Sequence, residues 1–141
     1  MDPAAGRLTL PATAESVGSF RNFVRLRAAA AQVPDQELEK LDLVLEEILI
    51  NIARYAYLPE TGAAEVAVAP DGPGRLQLEI SDWGNAFNPL DVEPPDFSRG
   101  LAERPIGGLG VFLVRSLVSS LSYRRESGRN VLSFGFPGPG I

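Results

Sequence analysis

Three groups of residues in this 141-residue sequence combine types and spacings that could do chemistry. Glu47 and Asn51 stand four residues apart, so on a helix they stack on one side and present a carboxylate beside an amide oxygen. On the same wheel Glu46 points roughly 140° away from Asn51, which makes Glu47 the partner. Asp82 ends the alternating run Arg75-Leu76-Gln77-Leu78-Glu79-Ile80-Ser81-Asp82, where period-two parity puts it on the face of Leu76, Leu78 and Ile80. A carboxylate on a buried face needs a structural donor or a ligand bearing N–H groups, and the exocyclic amine of an aminopurine is one such group. Gly84 follows, with no side chain to keep a flat group away from the backbone. Gly107-Gly108-Leu109-Gly110 opens an apolar helical run, where free backbone N–H groups and the helix dipole make an anion site suited to phosphate. Arg99 and Arg104 precede it and could neutralise phosphate charge, Arg104 being the nearer.

Taken singly, each feature has an ordinary explanation: a solvated rim for Glu47 and Asn51, a strand-end turn for Asp82, loop punctuation for the glycines, solvent for the arginines. Taken together, they are a helix bearing two oxygen donors, a buried strand-end carboxylate followed by glycine, and a glycine-rich anion site after a long loop.

The elements that must position these groups are legible from periodicity. Residues 7–12 alternate weakly and read as an edge strand because of Pro11. A first helix over 14–32 carries Val17, Phe20 and Val24 and ends before Val33-Pro34. Pro34 reads as an N1 proline for a second helix running to about Tyr57, with core stripe Leu38, Leu41, Leu45, Ile48, Ile52 and Tyr55. Strands over 65–69 and 75–82 form a hairpin. Residues 83–108 make a long aperiodic loop, a kind that is usually functional, and the stretch 85–101 is expected to be a weakly packed lid. Helical spacing returns over 109–121, and a turn at Ser127-Gly128-Arg129-Asn130 leads to a last strand with Leu132, Phe134 and Phe136 inward. This order predicts one α+β domain over 1–141, with an ordered core of about 7–136. Its architecture is a two-layer α/β sandwich, helices covering one face of a mostly antiparallel sheet.

Composition removes whole classes of function. Thirteen basic against eighteen acidic residues give a net charge of −5, which argues against nucleic acid as a partner. The absence of cysteine and histidine excludes disulfides, thiolate zinc sites, thiol nucleophiles, Ser-His-Asp triads and phosphohistidine, so any metal must be held by oxygen. Lys40 is the only lysine; without Gly-Lys-Ser/Thr there is no P-loop, and without His-Arg-Asp no eukaryotic-type kinase loop. No apolar run approaches the ~20 residues of a membrane span and the N-terminus has no signal pattern, so a soluble cytoplasmic protein without membrane partners is expected.

The run Glu46-Glu47-Ile48-Leu49-Ile50-Asn51-Ile52-Ala53-Arg54-Tyr55-Ala56-Tyr57 is followed in order by Asp82-Trp83-Gly84-Asn85-Ala86-Phe87 and Gly107-Gly108-Leu109-Gly110-Val111-Phe112-Leu113-Val114-Arg115. The three resemble the ATP-binding boxes of the Bergerat-fold (GHKL, histidine kinase-like) ATPases, in the form found in bacterial anti-sigma-factor serine/threonine kinases. The resemblance runs from about Arg7 to Phe136. It implies the Bergerat ATP-binding fold with ATP and Mg2+ as cofactors. By position it implies Glu47 as general base, Asn51 as magnesium ligand, Asp82 as the adenine-binding carboxylate, and Gly84, Gly107, Gly108 and Gly110 as nucleotide-binding glycines. Arg104 joins the nucleotide-binding set from its place in the loop. Tyr55 stands where many relatives have histidine, and its place on the core stripe predicts an effect on packing rather than catalysis.

The function so implied is transfer of the ATP γ-phosphoryl group to a serine or threonine of a STAS-domain anti-sigma antagonist, with a sigma factor as a second binding candidate and a homodimer left open. The parts suffice for phosphoryl transfer, which asks mainly for positioning and charge stabilisation. Two alternatives share these residues: an ATP-binding partner switch without kinase activity, and a detached catalytic domain of a two-component histidine kinase. A third, an α+β interaction module without ligand, would leave the three boxes unexplained.

Overall fold

The computed structural model describes residues 2–57, 61–90 and 108–139. In chain order it contains β1 (Gly6–Pro11), α1 (Val17–Ala30), α2 (Leu38–Tyr55), β2 (Ala63–Pro70), β3 (Leu76–Asp82), α3 (Gly108–Leu117), β4 (Ser119–Glu126) and β5 (Arg129–Phe136). The five strands form one sheet in the order β1-β2-β3-β5-β4, every neighbouring pair antiparallel. The fold is α+β, as the alternation of elements predicts, and β1 lies at an edge where its proline is harmless.

Alternation decides which sheet face the helices cover. On β3, Leu76, Leu78 and Ile80 are buried, and they pair across the ladder with Phe136, Phe134 and Leu132 of β5. Against this row pack Phe20 and Val24 of α1, Leu41, Leu45, Ile48 and Ile52 of α2, and Val114 of α3, all fully or almost fully buried. Full burial of such side chains stabilises by roughly 1.5–3 kcal/mol each before chain entropy is subtracted, so this row sets the register. The row does not stop at apolar residues. Its next pair is Asp82 opposite Asn130, both buried.

Helix α1 is shorter than the 14–32 read from spacing: it starts at Val17 after a 3₁₀ turn at Ala14–Ser16 and ends at Ala30 through a Schellman motif, in which Gln32 adopts φ 67°, its N–H donates to Ala29 O, and the Val33 N–H donates to Ala28 O. Pro34 does not occupy N1 of α2. It has an extended ψ of 141° and precedes a 3₁₀ turn at Asp35–Glu37, after which α2 begins at Leu38.

The last third of the chain departs furthest from the sequence reading. Helix α3 stops at Leu117 rather than near 121, and residues 119–126, read as helix end and linker, form the edge strand β4. Leu121 keeps the helical spacing of Val114 and Val118, which hides the change of period. The strand is irregular, with Ser120 at φ 52° and a register shift between Ser119 and Ser122, so its own alternation is weak. The β4–β5 turn is only Ser127 (φ 49°) and Gly128 (φ 78°), the pairing Glu126 with Arg129 closing a two-residue hairpin. Asn130 is therefore a strand residue, not a turn residue. No described helix is long and apolar enough to cross a membrane.

Candidate active site

Helix α2 carries the first pair. Asn51 is buried, and its Nδ2 donates to the Pro89 carbonyl at 3.0 Å, which leaves the amide oxygen as the atom that could serve a cation. Glu47, one turn earlier, is half-buried, and its Oε1 is buried without a hydrogen-bond partner among the described residues. Burial pushes the Glu47 carboxyl above the ordinary glutamate range, while the Asn51 amide and the Arg54 charge pull it back. Glu46 faces elsewhere: it is exposed and lies 3.7 Å from Arg21 of α1. The two adjacent acids thus occupy different environments, as the wheel requires, and only Glu47 meets the start of α3. A Cβ added at Gly110 would overlap the Glu47 carboxyl group, lying 2.8 Å from Oε1 and closer still to Cδ and Oε2.

The second centre is at the end of β3. Asp82 Oδ1 accepts from the Gly84 N–H and from Asn130 Nδ2, each at 2.9 Å, whereas Oδ2 is buried with no partner among the described residues. Desolvation pushes the Asp82 carboxyl up, and those two donors together with the Arg125 charge oppose the shift. An unpartnered buried carboxylate oxygen is costly unless a donor arrives, so the geometry suits a ligand that brings an N–H.

The sequence reading puts Asn130 in a turn and gives it no part in the site. Its Nδ2 donates to Asp82 Oδ1 and to the Asn85 carbonyl at 2.7 Å. Its Oδ1 accepts from the Phe87 N–H at 3.0 Å, the Tyr123 hydroxyl at 2.6 Å and Arg125 Nη1 at 3.2 Å. The signal that could have found it is parity: counting back by twos from Phe136 through Phe134 and Leu132 puts Asn130 on the buried face.

Segment 85–90 is held down, contrary to the expectation of a weakly packed lid. The Asn85 N–H donates to Ala56 O, Phe87 is tied to Asn130 and Pro89 to Asn51, while Arg115 Nη2 donates to the carbonyl of the buried Leu90 at 2.8 Å. The rest of the supposed lid, from residue 91 on, lies outside the described residues, as do Arg99, Arg104 and Gly107. Gly108 is the first residue of α3. Gly84 gives its space to the protein itself, since a Cβ there would run into the Ala56 carbonyl group, 2.7 Å from its carbon. Tyr55 is not a core residue: it is 46% exposed and its ring packs on Phe87 at 5.7 Å. Tyr57 instead does the tying, donating its hydroxyl to Ala63 O and accepting from the Trp83 N–H.

A buried acceptor awaiting an N–H, an oxygen-bearing face on α2 and a glycine-bearing first turn of α3 fit a nucleotide with its cation. Among the described residues, no three carboxylates converge to hold a metal. A hard cation here would lean on few protein oxygens and on phosphate, as Mg2+ commonly does.

The family model of the histidine kinase-like ATPase domain matches residues 10–136, and the chain belongs to that family. Among its relatives is the serine/threonine-protein kinase BtrW of Bordetella bronchiseptica, 33% identical over 93 residues that make up 66% of each chain. The serine-protein kinase RsbW of Bacillus thuringiensis is 26% identical over 130 residues, 89% of this chain and 80% of its own. RsbW of a Bacillus cereus strain reaches 28% over the same length.

Proposed function

We propose that this chain is an ATP-dependent serine/threonine protein kinase that acts as an anti-sigma regulatory factor in the cytoplasm. Its substrate is a STAS-type anti-sigma antagonist, and a sigma factor is the second protein it holds. The observation that carries the nucleotide half is the buried, unpartnered Oδ2 of Asp82, which would accept from the exocyclic amine of adenine. The names of the relatives support the kinase half, and so does the split environment of Glu46 and Glu47.

When bound, magnesium-ATP supplies the phosphoryl group and the charge neutralisation that its transfer requires. Asn51 would give its amide oxygen to the cation, its Nδ2 being held by Pro89. Gly108 and Gly110, with Gly107 and Arg104 before them, are assigned to the phosphates. Glu47 accepts the proton of the incoming serine or threonine hydroxyl while that oxygen bonds to the γ-phosphorus and the bond to ADP breaks. A base with a raised pKa also holds that proton better than an ordinary glutamate would.

Incubation of the purified chain with labelled ATP, magnesium and the STAS-domain proteins of the same genome tests the reading. Label on one serine or threonine of one such protein is expected. Label on none of them, with ATP bound, would leave an ATP-dependent partner switch as the function.

A further inference from the structure

Gly110 lies in the first turn of α3, and the three heavy atoms nearest to where its Cβ would stand are Cδ, Oε2 and Oε1 of Glu47. The space left by the missing side chain is thus taken by one group, the carboxyl of the proposed base. We propose that Gly110 is a positioning residue for Glu47: by carrying no side chain, it leaves the pocket in which the Glu47 carboxyl sits, and it fixes where the base stands relative to the transferred group. This rests on the reading of Glu47 as the base.

Comparison with other close-packed glycines sharpens the point. At Gly84 and Gly138 an added Cβ would meet backbone atoms, of Ala56 and of Leu117 and Val118, so those glycines serve the packing of the chain. At Gly110 it would meet only the end of a flexible side chain among its nearest neighbours. The backbone there is not in the left-handed region, so alanine fits it, and alanine is the better helix former. An added methyl should therefore leave α3 in place and move Glu47. Among the described residues no hydrogen bond anchors Glu47 Oε1 against that push.

The test is Gly110→Ala in the full chain, read by four measurements: thermal stability, ADP affinity, the turnover number for phosphoryl transfer, and the position of the Glu47 carboxyl in a crystal structure of the variant. Expected are stability equal to or above wild type and a turnover number at saturating ATP lower by roughly tenfold to a hundredfold, the scale of a base misplaced by about an ångström, a loss beyond any that the methyl causes in ADP affinity at the phosphates. In a crystal structure of the variant the Glu47 carboxyl should stand displaced from the pocket it fills beside residue 110. Glu47→Asp provides a rescue arm: the shorter side chain clears the methyl, so adding Gly110→Ala to Glu47→Asp should cost less than about threefold.

A wild-type turnover number with an unmoved Glu47 carboxyl would overturn the proposal. So would a loss of ADP affinity that accounts for the whole loss of transfer, since the glycine would then serve the nucleotide alone. If Glu47→Ala itself transfers phosphate at the wild-type rate, the reading of Glu47 as base fails, and the position of the Glu47 carboxyl in Gly110→Ala still decides separately whether Gly110 places it.

Discussion

Asp82 and Asn130 face each other across the β3–β5 ladder, the Asn130 amide donating to Asp82 Oδ1 at 2.9 Å while Asp82 Oδ2 stays buried and unpartnered. One oxygen of the carboxylate belongs to the fold and the other is left for a ligand. The arrangement stabilises no ligand-free state as well as it could, which is the usual signature of a group kept for binding.

Asp82→Asn should therefore separate binding from stability. ATP affinity should fall roughly tenfold to a hundredfold, the ~1.5–3 kcal/mol of a hydrogen bond to a charged group. Stability of the ligand-free chain should not fall with it, because a buried charge is removed. The pH dependence has a definite sign. Burial raises the Asp82 pKa, so the folded chain holds this proton more tightly than the unfolded one, and stability declines as pH rises from the ordinary aspartate range through the raised value. Urea unfolding across about pH 4–7 should show that decline in wild type and a shallower one in Asp82→Asn. Unchanged ATP affinity in the folded variant would take Asp82 out of the site.

Asn130→Ala should damage both properties. It strips a donor from Asp82 and from the Asn85 carbonyl and leaves the Phe87 N–H and Tyr123 hydroxyl without their acceptor. Denaturant unfolding should show a loss of about 1–3 kcal/mol, and ADP titration a weaker complex. Wild-type values in both would mean that water replaces the amide without cost.

How much of this was legible in the sequence depended on whether one period ran through a whole element. Leu41, Leu45, Ile48 and Ile52 keep helical spacing along α2, and Leu76, Leu78, Ile80 and Asp82 keep strict alternation along β3, so Glu47, Asn51 and Asp82 could be placed before any coordinates. Strand β4 could not, because Leu121 extends the helical pattern of α3 and the strand carries a register shift. Asn130 is hidden by the same irregularity: Ser127-Gly128-Arg129-Asn130 has the composition of a four-residue turn, whereas the hairpin turns on Ser127 and Gly128 alone. Tyr55 shows the other limit, since a wheel angle cannot say what stands over each turn: at this end of α2 Ile52 and Ala56 stay fully buried, while Tyr55 lies 46% exposed and packs on Phe87.

Gln32→Gly offers a test of the fold independent of the site. Gln32 holds φ 67° at the end of α1, a conformation that costs an L-residue about 1 kcal/mol and glycine nothing. The variant should gain up to about 1 kcal/mol, less what glycine loses in the unfolded chain. A destabilised variant would mean that the Gln32 side chain holds this turn.

The pH profile of transfer follows from Glu47. The base must be ionised, and burial raises its pKa, so kcat/KM should rise with pH along an acid limb centred above the ordinary glutamate range. A limb within that range would indicate a solvated carboxylate, and a flat profile would indicate that no such base acts.

The most direct measurement of the central claim compares Glu47→Ala and Glu46→Ala with wild type, following phosphate transfer to a STAS-domain partner while ATP and partner binding are measured on the same preparations. Expected is a loss of transfer of ~10²–10⁴-fold in Glu47→Ala with both bindings intact, and wild-type transfer in Glu46→Ala, whose side chain lies by Arg21. Transfer by Glu47→Ala at the wild-type rate would contradict the assignment of the base. Wild-type protein that binds both ATP and partner without ever phosphorylating it would contradict the kinase itself.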